Sequence, residues 1–322
     1  MTVDPRNIAN GLEISSEGYC DQPFVVQTAD GGWLIVMTTG TGIEGDPGQH
    51  VVSLKTFDRG QSWLEPVDVE PASEPESSWA VPLVTPGGRV YCFYTFNGDN
   101  LREVISDYGP IGRVDTLGYY AFRYSDDNGL TWSDRRYYIP VRKFRIDLEN
   151  PYGGEVVFFW GVSKPIVVDG VVYFGFSKVG RFGDGFMTVD EGAFMRSDNI
   201  LTEPDPEKIH WETLPEGDEG LRSPEGPISD EHNLAALSDG SLVCTFRTTQ
   251  GHNCCSYSRD GGRTWEPPSY CAYEPGGRLL KHPRAANFMR RYSNGRFTLW
   301  FHNHGGRFVG ALGANGKDGR SP

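Results

Sequence analysis

The chain has 322 residues and a formal net charge of −13 at neutral pH. It contains no basic run of the kind that neutralises phosphates, so general nucleic-acid binding is excluded. No apolar stretch approaches the roughly 20 residues that span a bilayer, and the start, MTVDPRNIANG, lacks the basic and apolar regions of a signal peptide. As written, the sequence predicts a cytoplasmic protein without a membrane partner, or a secreted or periplasmic one if an N-terminal signal has been removed.

Composition favours many short strands joined by turns. Glycine and proline, with 41 and 22 residues, form about a fifth of the chain, well above the usual share of roughly 12%. Eight Trp, fifteen Tyr and eighteen Phe supply the apolar area of a packed core, which argues against disorder. The six cysteines show no CxxC spacing and are interpreted as mostly buried thiols.

Five hairpins are predicted in chain order, each an alternating apolar segment that turns on a glycine. Their sequences are FVVQTADGGWLIVMTT, VPLVTPGGRVYCFYTF, KPIVVDGVVYFGFSK, LAALSDGSLVCTFRTT and ANFMRRYSNGRFTLWFHNH. The turn glycines are Gly31, Gly88, Gly170, Gly240 and Gly295, which are 57, 82, 70 and 55 residues apart. This spacing suits four-stranded units of roughly 40–50 residues with loop insertions.

A second repeat follows three of the hairpins, with the form S/T-x-D-x-G-x-S/T-W. It occurs as TFDRGQSW at 56–63, SDDNGLTW at 125–132 and SRDGGRTW at 258–265. The Asp carboxylate is expected to accept backbone N–H bonds across a tight turn, the Gly to take a conformation that a Cβ forbids, and the Trp to insert between neighbouring sheets. A weaker fourth copy combines residues 196–199 with Trp211.

This pattern resembles the Asp box of the sialidase (neuraminidase) superfamily. The resemblance implies an all-β fold, a β-propeller of four-stranded blades, with six blades in the family and the whole chain 1–322 as one domain. Each hairpin forms strands one and two of a blade, and the Asp box lies between strands three and four. Because only 27 residues follow Gly295, the C-terminal blade is predicted to be incomplete.

The connectivity of such blades brings candidate site residues to one end. Hairpin turns and Asp boxes share one face, so the starts of strands one and three and the end of strand two share the other. Six of the seven histidines, all but His210, fall on that second face. The candidate substrate-binding residues there are Gln22, Glu44, Trp79, Tyr94, Trp160, Arg247, His252, His282, Arg284 and His302, and the candidate catalytic residues are Asp21, His50, Glu231 and His232.

The resemblance carries over to this chain only in part. LSDGSLVCTFR looks like the sialidase segment that holds one arginine of the carboxylate-binding triad, which implies that Arg247 clamps a carboxylate. However, residues 21–23 read Asp-Gln-Pro where the family has an Arg-Ile-Pro-like motif, and residues 235–236 are both Ala where a glutamate assists the tyrosine nucleophile. Arg307 or Arg320 is the candidate for the third arginine. Sialic-acid cleavage by the usual route is therefore not expected.

The loop before the first Asp box holds the acid/base aspartate in the family. Here that loop contains Glu44, Asp46 and His50. We favour His50, because it begins a strand, whereas Asp46 next to a proline is expected to shape a turn.

Three functions are compatible with these residues. The first is a glycoside hydrolase acting on an acidic or uronate-containing glycan. Its possible carboxyl groups are Asp21, Glu44 or Asp46, and Glu231, and Asp21 opposite Glu231 is the pair to test first. The second is a polysaccharide lyase that cleaves next to a uronic acid, with Arg247 and Arg284 neutralising the carboxylate. In it His50, His232 or His282 is the base, and Tyr94 returns a proton to the leaving oxygen. The third is a noncatalytic glycan-binding propeller. The expected partner is an anionic oligosaccharide or polysaccharide. No metal or cofactor is predicted, since no HExxH or similar spacing occurs.

Overall fold

All five predicted hairpins form, and each turns at its predicted glycine. This computed structural model describes Asp4, residues 7–183 and residues 186–304. The five turn glycines have φ values between +77° and +90°, a region that side chains with a Cβ rarely adopt. The turn positions therefore follow directly from the sequence.

Four antiparallel sheets form the blades. Blade I consists of β1 (Tyr19–Gln27), β2 (Trp33–Gly40), β3 (His50–Thr56) and β4 (Val67–Asp68). Blade II consists of β5 (Ser77–Val84), β6 (Val90–Phe96), β9 (Tyr119–Ser125) and β10 (Tyr137–Ile139), and a separate hairpin of β7 (Val104–Ser106) and β8 (Gly109–Ile111) lies between its second and third strands. Blade III consists of β11 (Phe159–Trp160), β12 (Ile166–Val168), β13 (Val171–Gly183), β14 (Phe186–Ser197) and β15 (Glu212–Leu214). Blade IV consists of β16 (Asp230–Ala236), β17 (Leu242–Arg247), β18 (Cys254–Ser258) and β19 (Ser269–Tyr270).

The remaining regular structure is short. A hairpin of β20 (Phe288–Arg291) and β21 (Phe297–Trp300) follows blade IV. Helix α1 (Arg145–Leu148) and the 3-10 turns Ile8–Asn10 and Pro206–Lys208 are the described helical segments. None of the described helices has the length and apolar character needed to cross a membrane. The all-β propeller predicted from the repeats is confirmed, with four blades and two further hairpins among the described residues.

Aromatic side chains fill the spaces between adjacent blades. Phe93 of blade II stacks on Phe174 of blade III with ring centroids 4.9 Å apart, and Trp211 packs edge-on against both rings. Four of the six cysteines are buried within the sheets or beside them, as expected for structural thiols, and all six are free. The blades thus hold together by burying apolar surface from neighbouring sheets.

The three Asp boxes share one hydrogen-bonding pattern. Asp58, Asp127 and Asp260 each accept a bond from the backbone N–H four residues later at 2.9 Å, and each also accepts the hydroxyl of that same residue. The Trp132 indole N–H donates to Ser53 in blade I at 2.8 Å, and Trp265 stacks on Phe194 in blade III. The expected insertion of these Trp side chains between sheets is confirmed.

A β-bulge recurs near the start of the innermost strand in blades I, II and IV. It interrupts pairing between Asp21 and Phe24, between Ser78 and Val81, and between Asp230 and Asn233. The residue after each bulge start has left-handed backbone, with φ of +51° at Gln22, +63° at Trp79 and +57° at Glu231. Such conformations cost roughly 1–3 kcal/mol for residues with a Cβ, so surrounding contacts must hold them.

Those contacts come from the preceding blade in two of the three cases. The backbone N–H of Trp79 donates to the Thr38 hydroxyl of blade I at 3.1 Å, and that of Glu231 donates to the Ser177 hydroxyl of blade III at 3.0 Å. Thr38 lies opposite Asp21 on β2, and Ser177 lies opposite Trp160 on β13. The strand-two hydroxyl of one blade therefore fixes the bulge of the next.

Candidate active site

The bulges lie at the end of the propeller that the connectivity rule selects. We call the site at this end the mouth, formed by Asp21, Trp79, Trp160, Glu231 and Arg247 together with the residues that contact them. All five were predicted from strand connectivity. A chain of contacts joins the β2–β3 loop of blade I to blade IV through Arg113, the two Trp side chains and Arg247.

Asp21 provides the mouth's half-buried carboxyl group. It accepts a hydrogen bond from the Tyr19 hydroxyl at 2.9 Å. Burial, together with the nearby carboxylates of Glu44 and Asp115, raises its pKa from 3.8 to about 6, against the lowering effect of the Tyr19 bond. Asp21 is therefore able to carry a proton in mildly acidic solution.

Arg113 lies in the segment between β8 and β9 of blade II, and its side chain reaches the β2–β3 loop of blade I. Its guanidinium contacts Glu44 at 2.7 Å and Asp115 at 2.9 Å, and it is 4% exposed. The backbone carbonyl of Asp115 accepts the Trp79 indole N–H at 2.7 Å. These contacts anchor the first two blades' loops to the aromatic part of the mouth.

We call Glu44, Arg113 and Asp115 the loop cluster. Trp79 and Trp160 connect this loop cluster to blade IV. Their ring centroids are 4.9 Å apart, and the Arg247 guanidinium lies 5.2 Å from the Trp160 ring. Both rings are almost fully buried, at 4% and 3% exposure. They support the mouth from inside more than they offer a flat platform for a sugar.

An ion cluster occupies the blade IV side of the mouth. Arg247 contacts Asp230 through Nε at 2.5 Å and Nη2 at 3.3 Å, and its Nη1 contacts Glu231 at 2.9 Å. Arg284 contacts Asp230 at 2.8 Å and the Met187 carbonyl at 3.2 Å. Although burial raises it, these two guanidinium groups hold the pKa of Asp230 well below its usual range. Both arginine side chains are thus engaged by protein carboxylates.

Asp190 completes this cluster from β14. Its carboxyl lies 3.5 Å from Arg284, and its other oxygen accepts the Ser229 backbone N–H. Burial, followed by the charge of Asp230, raises the pKa of Asp190 well above its usual range. Asp190 and Asp230 therefore differ strongly in proton affinity although both border Arg284.

Arg113 and Arg284 both pack against one aromatic ring. The guanidinium groups of Arg113 and Arg284 lie 5.4 Å and 4.5 Å from the centroid of the same Phe186 ring. The loop cluster and the ion cluster consequently belong to one site rather than two.

The predicted residues in and after the β2–β3 loop lie at the edge of the mouth or outside it. Glu44 reaches the mouth through Arg113, whereas the Asp46 carboxylate accepts the Ile43 N–H at 2.9 Å and shapes the turn as expected. His50 is 2% exposed, with its Nε2 atom 3.4 Å from Asp68 and 3.8 Å from Glu17. Asp68 belongs to the outermost strand β4 and Glu17 precedes β1, so the ion-pair partners of His50 are not among the residues of the mouth.

Tyr94 and His232 are fully buried in other surroundings. The Tyr94 hydroxyl donates to Glu70, a buried carboxylate that also contacts Arg123 at 2.9 Å and Arg136 at 2.6 Å. The His232 ring stacks on Phe246 with centroids 4.5 Å apart, and burial lowers its pKa to about 3. The structure does not bring these two side chains into the contacts of the mouth.

Three further predicted histidines flank blade IV, and Gln22 flanks blade I. His282 and His302 have ring centroids 5.8 Å apart. His282 uses both ring nitrogens, donating through Nε2 to the Ala285 carbonyl at 2.8 Å and accepting the His302 N–H at Nδ1, and burial lowers its pKa to about 4. His252 Nδ1 lies 2.8 Å from the Leu280 carbonyl. Gln22 is half-buried at its bulge.

Asp190, Arg113 and Asp115 are mouth residues that strand connectivity did not select. Asp190 lies on the extension by which β13 and β14 outgrow the other strands, near the start of a third strand. The connectivity rule places starts of third strands at the mouth, so extending it to blade III was the available signal. Arg113 and Asp115 lie in a loop, where no periodic pattern exists.

Neither a metal site nor the predicted C-terminal arginines can be added to the mouth from the described residues. Within residues 7–183 and 186–304, no three His, Cys, Asp or Glu side chains are grouped so that they could hold a metal ion. Arg307 and Arg320, the candidates for the third arginine, lie outside the described residues.

Comparison with known proteins supports the repeat and the fold. The BNR/Asp-box repeat family matches residues 123–134 and 256–267. No curated protein matches the chain by sequence. A protein of unknown function from Dyadobacter fermentans has a similar structure, with a TM-score of 0.62 at 15% identity over 88% of this chain and 75% of its own.

Two enzymes of known activity share the fold at low identity. A Hadza microbial sialidase has a TM-score of 0.59 at 18% identity, over 88% of this chain and 52% of its own. An ulvan lyase of a polysaccharide lyase family has a TM-score of 0.51 at 12% identity, over 88% of this chain and 67% of its own. This chain thus spans about half the length of that sialidase. It has a sialidase-like β-propeller fold with BNR/Asp-box repeats.

Proposed function

We propose that this protein is a carbohydrate-active enzyme, a glycoside hydrolase in which Asp21 and Glu231 are the reacting carboxyl groups. The observation that carries this proposal is the difference between their environments. Burial, together with neighbouring carboxylates, raises the pKa of Asp21 to about 6, whereas Glu231 contacts the guanidinium of Arg247 at 2.9 Å. A pair of carboxyl groups with opposed electrostatic environments suits one acid and one ionised partner.

The proposed roles follow from this contrast. Protonated Asp21 donates its proton to the glycosidic oxygen as the bond to the leaving sugar breaks. Ionised Glu231 acts on the opposite side of the sugar, either as the nucleophile or as the base that takes a proton from water. In both routes one water molecule is consumed, and Asp21 regains a proton before the next cycle.

The ion pairs of the mouth determine whether a charged or an uncharged sugar fits there. Arg247 and Arg284 direct their N–H groups at Asp230, Glu231 and the Met187 carbonyl. An acidic sugar has to compete with these protein carboxylates for the same donors. On the described residues, an uncharged sugar next to the cleaved bond is the better fit, and an acidic sugar is expected to bind best when carboxyl groups of the mouth are protonated.

The same contacts weigh against elimination. A lyase needs a cation free to neutralise the uronate and a base close to the neighbouring proton. The two arginines are engaged, and both ring nitrogens of His282 already have backbone partners. Hydrolysis is therefore the function that the geometry supports best.

Product analysis tests this proposal. The intact protein is incubated with neutral, uronate-containing and sialylated oligosaccharides while product mass and ultraviolet absorbance are followed together. Products that sum to the substrate plus one water, without new absorbance, are expected. The Asp21→Asn variant should lose most of this activity, whereas Asp46→Asn, whose amide oxygen can still accept the Ile43 N–H, should retain it.

Two outcomes contradict the proposal. An absorbing, unsaturated product formed without added water establishes elimination instead. Full hydrolytic activity in Asp21→Asn removes Asp21 from the mechanism.

A further inference from the structure

A concave site lies between blades II and III, on the same end of the propeller as the mouth. This cleft has a volume of about 610 Å³, and its walls come from the start of β9, the end of β10 and the segment that leads into β11. The starts of third strands and of first strands both belong to the mouth end. The volume falls within the usual range of small-molecule sites, roughly 300–1,000 Å³.

Two exposed tyrosines stand in this cleft. Tyr119 and Tyr138 are 43% and 51% exposed, and their ring centroids are 5.3 Å apart. Large aromatic side chains are normally buried, so an exposed adjacent pair in a concave site indicates a binding surface. Saccharide rings present C–H faces that pack on such aromatic rings, and Trp and Tyr also provide a polar group at the edge.

Polar groups surround the two rings. The Tyr119 hydroxyl donates to Asp99 at 3.0 Å, and Glu155 and Lys143 also line the cleft. All three charged residues are exposed. Carboxylate oxygens accept hydrogen bonds from hydroxyl groups, and two carboxylates against one ammonium give the cleft a negative balance that disfavours an anionic ligand.

A single strand separates the cleft from the mouth. Phe159 of β11 lines the cleft, whereas the next residue, Trp160, contacts Trp79 and Arg247 in the mouth. Neighbouring residues of a strand point to opposite sides, which explains this division. The cleft and the mouth therefore adjoin two sides of the same strand.

We propose that the cleft is an outer subsite for the uncharged sugar units of an oligosaccharide whose end occupies the mouth. The Tyr119 and Tyr138 rings pack against pyranose faces, and Asp99 and Glu155 accept hydrogen bonds from sugar hydroxyls. This inference rests on the proposed function in taking the ligand to be a saccharide. It assigns to the cleft a role in affinity for longer chains, with no part in bond cleavage.

Binding is tested with the full-length protein and cellohexaose, mannohexaose and xylohexaose as probes. The measurements use calorimetry and saturation-transfer NMR, in the wild-type protein and in an Asp21→Asn background that prevents turnover. At least one hexaose is expected to bind, and Tyr119→Ala and Tyr138→Ala should each weaken it roughly fivefold to tenfold. Tyr138→Phe, which keeps the ring, should retain most of the affinity.

Tyr108→Ala is the matched control, because Tyr108 is 75% exposed on the β7–β8 hairpin, outside the cleft. Its affinity should equal that of wild type. The proposal is overturned if no hexaose binds at millimolar concentration, if both cleft variants bind as tightly as wild type, or if a hexamer of uronic acids binds more tightly than every neutral probe. Hexaose binding that depends on the tyrosines, without hydrolysis of any substrate, contradicts the proposed catalytic function and leaves the subsite standing.

Discussion

Asp230 and Arg247 form a two-point ion pair across directly opposed positions of β16 and β17, with Nε–Oδ1 and Nη2–Oδ2 distances of 2.5 Å and 3.3 Å. Asp230 is fully buried and Arg247 is 3% exposed. The pair lies where the bulge of blade IV begins, so it also sets the direction of Glu231. Its electrostatics therefore govern both the stability of blade IV and the charge of the proposed reacting group.

Asp230→Asn tests this pair. The substitution leaves Arg247 and Arg284 buried beside a neutral amide, and we expect a loss of about 3 kcal/mol in the free energy of unfolding. Urea denaturation at neutral pH measures it. As a control, Asp239→Asn removes an exposed partner of Arg259 at 3.1 Å and should have a much smaller effect on stability. Equal effects of the two variants contradict the importance assigned to the buried pair.

The pH dependence of hydrolysis tests the role of Asp21. A general acid must carry its proton, and the pKa of Asp21 is raised to about 6. We expect kcat/KM for an uncharged substrate to fall as pH rises through about 6. The measurement is a pH–rate profile from pH 4 to 9. A rate that stays constant up to about pH 8 contradicts this assignment.

The stability of Asp21→Asn gives an independent check on the same pKa. Because the folded-state pKa exceeds the usual 3.8, the folded protein binds more protons than the unfolded chain between the two values, and wild-type stability falls as pH rises through this window. The asparagine variant does not ionise. It should therefore be more stable than wild type at pH 8 by on the order of 1–2 kcal/mol, with the gain absent near pH 4. Thermal unfolding at both pH values measures the difference, and a gain at pH 4 alone contradicts the raised pKa.

Gly192→Ala tests the packing of His232 between blades III and IV. A Cβ at residue 192 would lie 2.2 Å from the His232 ring, so we expect a loss of about 1–3 kcal/mol through overpacking. Gly112→Ala is the control, since no heavy atom lies within 4 Å of its added Cβ. Chemical denaturation of both variants is the measurement. Unchanged stability of Gly192→Ala indicates that His232 moves freely, contrary to its buried position here.

Asp127→Ala tests the Asp box of blade II. The substitution removes the acceptor of the Thr131 N–H and hydroxyl bonds, at 2.9 Å and 2.6 Å, and we expect a loss of about 1–2 kcal/mol at pH 7. Although burial raises it, the hydrogen bonds from Thr131 and Ser125 lower the pKa of Asp127. Its contribution is therefore present above the ordinary pKa and is lost as pH falls below it. A variant deficit that is the same at pH 2 and pH 7 contradicts this reasoning.

Local sequence signals predicted the fold well because they depend on local chemistry. In each Asp box, a glycine with positive φ and an aspartate that accepts the N–H of the residue four positions later suffice to define the turn. Connectivity also brought Asp21, Trp79 and Arg247 to one end without any knowledge of distances. These predictions required only that each hairpin and each Asp box occupy a fixed place in a blade.

The connectivity rule identifies the end of a strand but not the side on which a side chain lies. Tyr94 and Thr95 are adjacent on β6, and only Thr95 occupies the position that Arg247 has on β17, opposite the start of a bulge. Tyr94 consequently faces Glu70. His232 likewise follows the bulge residue Glu231 and turns toward Phe246. Bulges alter the alternation of strands, and alternating hydrophobicity alone does not reveal them.

The repeated bulge separates backbone shape from side-chain chemistry. A hydroxyl of the preceding blade holds the left-handed residue at Trp79 and Glu231 through its backbone N–H, so the identity of that residue is not what secures the bend. The same conformation carries an amide at Gln22, an indole at Trp79 and a carboxylate at Glu231. The propeller thereby repeats one backbone position, the left-handed bulge residue, in three of its blades. A single substitution at one of these positions can change the chemistry of the site while the surrounding blades keep their structure.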